Sequence, residues 1–302
     1  MSSGIKKIIP NSIKQNDVVG IVAPASPFNT EELYKGVEII KSLGFKVNIP
    51  QDIFFKKKYL AGEDANRARI INKMFADKNI KGIMSAKGGF GSMRLLPYID
   101  YQTAKKNPKL FIGFSDISAL LSAYYTFADI MTVHGPVVTS LAAQDAETIK
   151  SFYDTVTLKS DINLKIENGV VIKQGKSEGS IVGGNLATLC HLAGTAYQPD
   201  FKDCILFLED TSEKPYKIDR MLTHIKFAGY FKQISGILLG SFDNCGQIQD
   251  IYQIVADKFK KESFPILAGF KAGHDKTNLS FLIGRKAYLN ADEKRLSFEN
   301  VL

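Results

Sequence analysis

The chain has 302 residues, 45% of them hydrophobic and 23% charged, with 39 Lys and Arg against 31 Asp and Glu for a net charge of +8. That length suits two domains or one large one, and the composition is ordinary for a soluble globular protein. The basic residues are dispersed, with short runs such as Lys56–Lys58 and Lys105–Lys106 reading as solvated faces. A nucleic-acid partner is therefore not expected. No apolar stretch approaches the ~20 residues of a membrane span. Lys6 and Lys7 are followed by no long apolar core, so a secretory signal is not expected and the cytoplasm is the expected compartment. Cys190, Cys204 and Cys245 are odd in number and unclustered, which suits buried free thiols better than a disulfide or zinc framework.

Hydrophobic periodicity gives the first half an alternating pattern. Residues 17–23 read as a strand ending in a Pro-Ala-Ser-Pro turn, 30–43 as a helix stopped by Gly44, and 45–49 as a strand. Residues 65–76 read as a helix, 82–85 as a strand feeding the glycine-rich run Lys87-Gly-Gly-Phe-Gly91, and 110–114 as an apolar strand. That strand ends at Ser115, and a helical pattern begins at Ile117, followed by a short strand at 132–134. Strands alternating with helices imply a mostly parallel, doubly wound sheet.

From about residue 158 the texture changes to short strand-like runs between Asn-Gly and Gly-rich turns. The expected organisation is an N-terminal α/β domain over 1–160, a linker region over 161–180, and a smaller mixed α/β, barrel-like domain over 181–302. The second domain reads as a helix at 185–192, strands at 205–208, 236–239 and 265–269, helices at 217–229 and 248–259, and a terminal hairpin near 287–298.

Ser115 sits on a strand-to-helix turn, the geometry of a nucleophile elbow, although the same position also suits a helix cap. Two later segments favour the first reading. The run Cys204-Ile-Leu-Phe-Leu-Glu209-Asp210 takes a buried strand into carboxylates, and Gly273-His274 follows another short strand. The chain order Ser, acid, His is that of α/β-hydrolases, but Ile117 stands where G-x-S-x-G has its last glycine, so an ordinary α/β-hydrolase is not expected. Asp210, Glu213 and Asp219 compete with Glu209 as the acid. His134, His191 and His224 compete with His274, whose glycine-flanked polar loop suggests a mobile, exposed ring. The glycine run lacks the spacing of a P-loop or a dinucleotide fingerprint, and no paired-histidine metal motif occurs. Neither a metal nor a cofactor is expected.

The chain resembles the LD-carboxypeptidase family of serine peptidases, which includes muramoyltetrapeptide carboxypeptidases and microcin C immunity hydrolases. The resemblance rests on Val22-Ala-Pro-Ala-Ser-Pro27, Lys87 through Pro97, Gly113-Phe-Ser-Asp116, His134-Gly-Pro136, Gly183-Gly-Asn-Leu186, Phe207-Leu-Glu-Asp210 through Arg220, and Gly273-His274, in the family's order. It implies a Ser115–His274–Glu209 triad, with the active site in the cleft between the domains. It also implies an oxyanion hole from the backbone N–H groups of Gly89 and Asp116, and substrate contacts from Lys87, Phe90 and Arg94. Lys87 stands where the family usually has Arg, which keeps the charge and loses the planar fork. The implied substrate is a small murein tetrapeptide losing its terminal D-alanine, and the family often forms homodimers. The alternatives are a microcin-type hydrolase of peptidyl or aminoacyl nucleotides and a non-catalytic binding protein on the same fold. The chain has no Trp, so a tryptophan cannot stack a nucleobase.

Overall fold

The computed structural model describes residues 7–159 and 163–300. The chain forms two compact units, Met1–Ser160 with Ser280–Leu282, and Asp161–Leu279 with Ile283–Leu302. The N-terminal stretch read for a signal lies partly, at 1–6, outside the described residues. Among the described residues, no helix is long and apolar enough to cross a membrane.

The first unit runs β1 (Val18–Val22), α1 (Thr30–Ser42), β2 (Lys46–Asn48), α2 (Asp64–Ala76), β3 (Ile80–Ser85), α3 (Tyr101–Lys106), β4 (Leu110–Gly113), α4 (Ser118–Phe127), β5 (Thr132–His134) and α5 (Ala146–Val156). Helix α1 shows how the sequence sets such an element. The Asn29 side chain accepts from the N–H groups of Glu31 and Glu32, capping the start, and both acids sit in the first turn, where the helix dipole favours them. Leu33, Val37 and Ile40 fall on the buried face. The helix gives way to Gly44 at φ +92°, a conformation suited to glycine.

Strands β1 to β5 form all-parallel neighbours in the order β2-β1-β3-β4-β5, and β12 (Phe281–Ile283) joins beyond β5. Sheets of this order bind ligands outside the carboxyl ends of the strands where the order reverses, here between β1 and β3. The loops leaving β1, β3 and β4 at that edge carry Ser26, the 87–91 glycine run and Ser115.

The second unit holds β6 (Asn163–Lys165), β7 (Val170–Lys173), β8 (Lys176–Asn185), α6 (Leu186–Leu192), β9 (Cys204–Thr211), α7 (Pro215–Phe227), β10 (Gly236–Asp243), α8 (Ile248–Lys258), β11 (Ile266–Ala268), β13 (Lys286–Asn290) and β14 (Arg295–Phe298). They make one mixed sheet in the order β6-β14-β13-β8-β9-β10-β11-β7. Strands β8 to β11 are parallel neighbours, and the β13, β14, β6 and β7 pairings are antiparallel. The edge strands β6 and β7 are joined by residues 166–169 alone. A flat sheet of this order would hold its edges about 34 Å apart at ~4.8 Å per strand. Five peptide steps reach only about 17 Å. The sheet must therefore roll, which gives it the barrel-like character expected.

Within the linker region expected over 161–180, the strand-like runs form β6 and β7 of this sheet and β8 begins at Lys176; 160–162 lie outside the described residues. Their polar side chains hid the pairing, because β8 opens with Lys176, Ser177 and Glu178, which lie opposite β13.

Candidate active site

In the first unit, β4 delivers the chain to Ser115, which has φ +63°, a left-handed conformation uncommon for a residue bearing a Cβ. Strain of this kind costs on the order of 1–3 kcal/mol and persists only when its surroundings enforce it. The helix does not start directly after Ser115: a 3₁₀ turn over Ser115–Ile117 leads into α4 at Ser118. Ser115 is thus no ordinary α-helix cap. Gly113 leaves room for Ile117, whose Cγ2 would lie 2.7 Å from any Cβ placed there. The bulky residue at the position of the absent final glycine therefore packs back onto the strand.

The glycine run is fastened around the elbow. A Cβ on Gly88 would meet Ser115 Cβ at 3.1 Å, so this glycine lets the loop lie against the serine. Ser26 N–H donates to Gly88 O at 3.3 Å, and Phe90 N–H donates to Ser26 Oγ at 3.1 Å. Ser92 N–H donates to Asp116 Oδ2 at 2.8 Å, and Ser92 Oγ donates to Asp116 O. Burial raises the Asp116 pKa, and the hydrogen bonds from Ser92 act the other way. Asp116 is 8% exposed, so its side chain staples the loop to the elbow from inside.

The three proposed substrate contacts differ in their surroundings. Lys87 is half-buried, two residues past β3. Phe90 is exposed and meets Tyr59 edge-to-face at 5.7 Å. Arg94 is engaged by Asp64 through Nε at 2.9 Å and Nη2 at 2.7 Å. Its fork is already occupied by a carboxylate, which weakens it as the substrate's carboxylate partner.

In the second unit, Glu209 does not end its strand but lies inside β9, which runs on to Thr211. It is fully buried, and its Oε2 lies 2.7 Å from His274 Nδ1. The 273–274 turn is held by Gly273 N–H donating to Asn278 Oδ1 at 2.9 Å and His274 N–H donating to Ser241 Oγ at 2.8 Å. His274 is accordingly not the mobile, exposed ring expected: its side chain is 18% exposed. Burial works to lower its pKa, but the hydrogen bond and charge of Glu209, aided by Asp210 and Asp243, carry the net shift upward from 6.5. Such a pair holds one imidazole tautomer and stabilises the imidazolium, as a general base requires.

The competitors have other work. Asp210 accepts from Asn185 Nδ2 at 3.1 Å, Ala187 N–H at 2.9 Å and Thr211 N–H at 2.8 Å, which anchors the start of α6. Burial, then the neighbouring Glu209 charge, raises its pKa to about 6. Glu213 pairs with Lys217 one helical turn on, at 3.1 Å. Asp219 forms an ion pair with Lys258 of α8. His134 is buried and stacks on Phe281 with ring centroids 5.1 Å apart, a packing role. His191 and His224 are exposed. The three cysteines are free thiols, Cys204 and Cys245 buried and Cys190 half-buried.

One residue escaped the sequence reading. Arg67 on α2 is 2% exposed, and its guanidinium donates to Pro24 O, to Gly91 O at 3.1 Å, and to the Asp64 carboxylate. Nothing in the helical pattern separates it from a surface arginine.

Comparison with known proteins agrees with this architecture. Residues 19–135 match the LD-carboxypeptidase N-terminal domain and residues 178–289 the LD-carboxypeptidase C-terminal domain. The chain belongs to the LD-carboxypeptidase family. It is 33% identical to a probable murein peptide carboxypeptidase of Bacillus subtilis, over 96% of this chain and 94% of that one. It is 28% identical to the microcin C7 self-immunity protein MccF of Escherichia coli, over 91% of this chain and 90% of that one. The crystal structure of an MccF-like protein from Bacillus anthracis superposes with a TM-score of 0.91 at 28% identity, covering 97% of this chain and 99% of that one.

Proposed function

We propose that this peptidase is a cytoplasmic serine LD-carboxypeptidase that releases the C-terminal D-alanine of murein tetrapeptides in peptidoglycan recycling. The buried Glu209 carboxylate, 2.7 Å from His274 Nδ1, carries the reading. Glu209 fixes the imidazole so that Nε2 takes the Ser115 proton; Ser115 Oγ attacks the amide carbonyl, and His274 then protonates the departing D-alanine amine. A water, deprotonated by His274, resolves the acyl-enzyme. The N–H groups of Gly89 and Asp116 stabilise the oxyanion, each worth ~10²–10³ in rate. The chemistry needs no cofactor. By family resemblance the active protein is a homodimer, which sedimentation checks.

The similarity to the microcin self-immunity protein supports a second reading, hydrolysis of peptidyl or aminoacyl nucleotides. A panel separates the two: a murein tetrapeptide with free C-terminus, its C-terminal amide, an all-L peptide of equal length, and an aminoacyl nucleotide, with products followed by mass spectrometry. The first reading expects cleavage of the free tetrapeptide alone, with Lys87 the better-placed partner for the substrate carboxylate. Equal cleavage of the amide, or preference for the nucleotide, overturns it. A non-catalytic binding protein would not be labelled by a fluorophosphonate at Ser115.

A further inference from the structure

The loop that would supply the oxyanion donor is glycine-rich, and glycine loops are costly to hold still. Gly89 has φ +103° and Gly91 φ +125°. A donor that stabilises a transition state must be aimed before reaction, so something has to fix this loop. Four ties are already described: Gly88 O and Phe90 N–H to Ser26, and Ser92 N–H and Oγ to Asp116. The fifth comes from below, from the Arg67 guanidinium.

The Arg67 side chain bonds both to the loop leaving β1 and to the glycine run after β3. Its Nη1 donates to Pro24 O and, at 3.1 Å, to Gly91 O, and its Nη2 donates to Asp64. The same Asp64 carboxylate holds Arg94 at 2.7 Å, so one buried and one exposed guanidinium share an anion. Asp64 is held in its charged form: the Arg94 bond lowers its pKa most, burial opposes, and Arg67 adds to the lowering. A Cβ on Gly91 would lie 3.1 Å from Arg67 Nη1, so glycine also makes room for the guanidinium. Burying an arginine costs heavily unless its donors and charge are matched, and here carbonyls of two loops and one carboxylate match the charge and both terminal nitrogens, while Nε has no hydrogen-bond partner. For helix packing alone, an aliphatic side chain at this position would serve without that cost.

We infer that Arg67 is a positioning residue that clamps the glycine run to the first loop and so aims the Gly89 N–H at the developing oxyanion. The inference rests on the functional reading above in its kinetic part and on geometry alone in its structural part. A lysine at 67 keeps the charge but, as a point donor, cannot span Pro24 O, Gly91 O and Asp64 together.

The test compares wild type with Arg67→Lys, and with Asp64→Asn, which leaves the guanidinium but removes its anchor. Both are assayed by amide hydrogen exchange and by steady-state hydrolysis of the murein tetrapeptide. The clamp predicts faster exchange across residues 86–92 with exchange in the second unit unchanged. It also predicts kcat lower by about 10–100-fold with KM within about threefold, because an oxyanion donor acts on the transition state and not on the bound substrate. Unchanged exchange over 86–92 in both variants overturns the clamp. Faster exchange with kcat intact and KM raised overturns the oxyanion role and makes the loop a binding element. If Arg67→Lys fails to fold, Asp64→Asn decides through the same two readouts. Should the wild type release no D-alanine, the functional reading fails, and hydrogen exchange still decides whether the clamp exists.

Discussion

Replacing Gly273 by alanine tests how tightly the Glu209–His274 pair depends on its backbone. Gly273 has φ +122°, a region that L side chains rarely adopt. Strain there costs ~1–3 kcal/mol. A Cβ at this position would also collide most closely with Ser241 Oγ and stand 2.7 Å from Glu209 Oε2 and 3.0 Å from Glu209 Cβ, whereas ordinary contact begins at 3.4 Å. Glu209 is fully buried, with densely packed neighbours, so relieving the collision costs a further ~1–3 kcal/mol. The expected total is about 2–6 kcal/mol, a fall in Tm of roughly 5–20 °C for a domain of this size. A retreat of about 0.7 Å by Oε2 would stretch the 2.7 Å bond to His274 past hydrogen-bonding length. Turnover should fall by about 10²-fold, the scale of an ångström misplacement in a catalytic group. Gly194→Ala is the matched control: its φ is +80° and nothing lies within 4 Å of the added Cβ. It should show strain alone, with a smaller loss of Tm and full activity. The assays are thermal melting and tetrapeptide hydrolysis. If Gly273→Ala melts and turns over like Gly194→Ala, the contact with Glu209 is not what makes glycine necessary.

Further outcomes follow from the same site. Glu209→Gln should cut kcat by about 10³–10⁴, because the amide permits the wrong imidazole tautomer. The acid limb of kcat/KM, which reports neutral His274, should lie above 6.5 in the wild type and move to lower pH in this variant, since burial opposes the charged ring and the Glu209 charge supports it. Raised in the fold, the His274 pKa contributes stability that is complete below about 6.5 and lost as pH rises through the folded value. Asp210→Asn should affect kcat far less. The Asp210 pKa rises from 3.8 to about 6 on folding, so the unfolded chain ionises first and the wild type loses about 3 kcal/mol as pH rises between those values. Denaturant melts of the variant should show a flatter dependence over that interval; an unchanged slope would contradict the buried, hard-to-ionise Asp210.

The sequence revealed elements whose side chains answer to one rule. Helix α1 has its Asn29 cap, one apolar face and Gly44, and both its ends were legible within a residue. Strand β4 and the Ser115 turn were legible because an apolar run stops at a serine. Strands whose ends carry polar residues were cut short. β9 continues through Glu209, Asp210 and Thr211 because these polar residues are themselves buried or half-buried, at the chemical end of the strand. Helix α5 and strand β12 passed unnoticed. β12 is three residues long, Phe281–Ile283, and owes its strand state to the first sheet beside β5, a partner about 150 positions earlier in the sequence. Within the site, residue types and order suggested Ser115, Glu209 and His274, and the structure adds the left-handed Ser115 backbone and the Glu209–His274 bond. Arg67 could not be read, because its significance lies in the carbonyls of Pro24 and Gly91, which no side-chain pattern records.

The central claim is that Ser115 performs the cleavage, and the most direct measurement is D-alanine released from a murein tetrapeptide by wild type and by Ser115→Ala. The account predicts steady release by the wild type and a rate lower by about 10⁴–10⁶ in the variant, with its thermal melt and circular dichroism unchanged. Release by a folded Ser115→Ala at a rate near that of the wild type would contradict it.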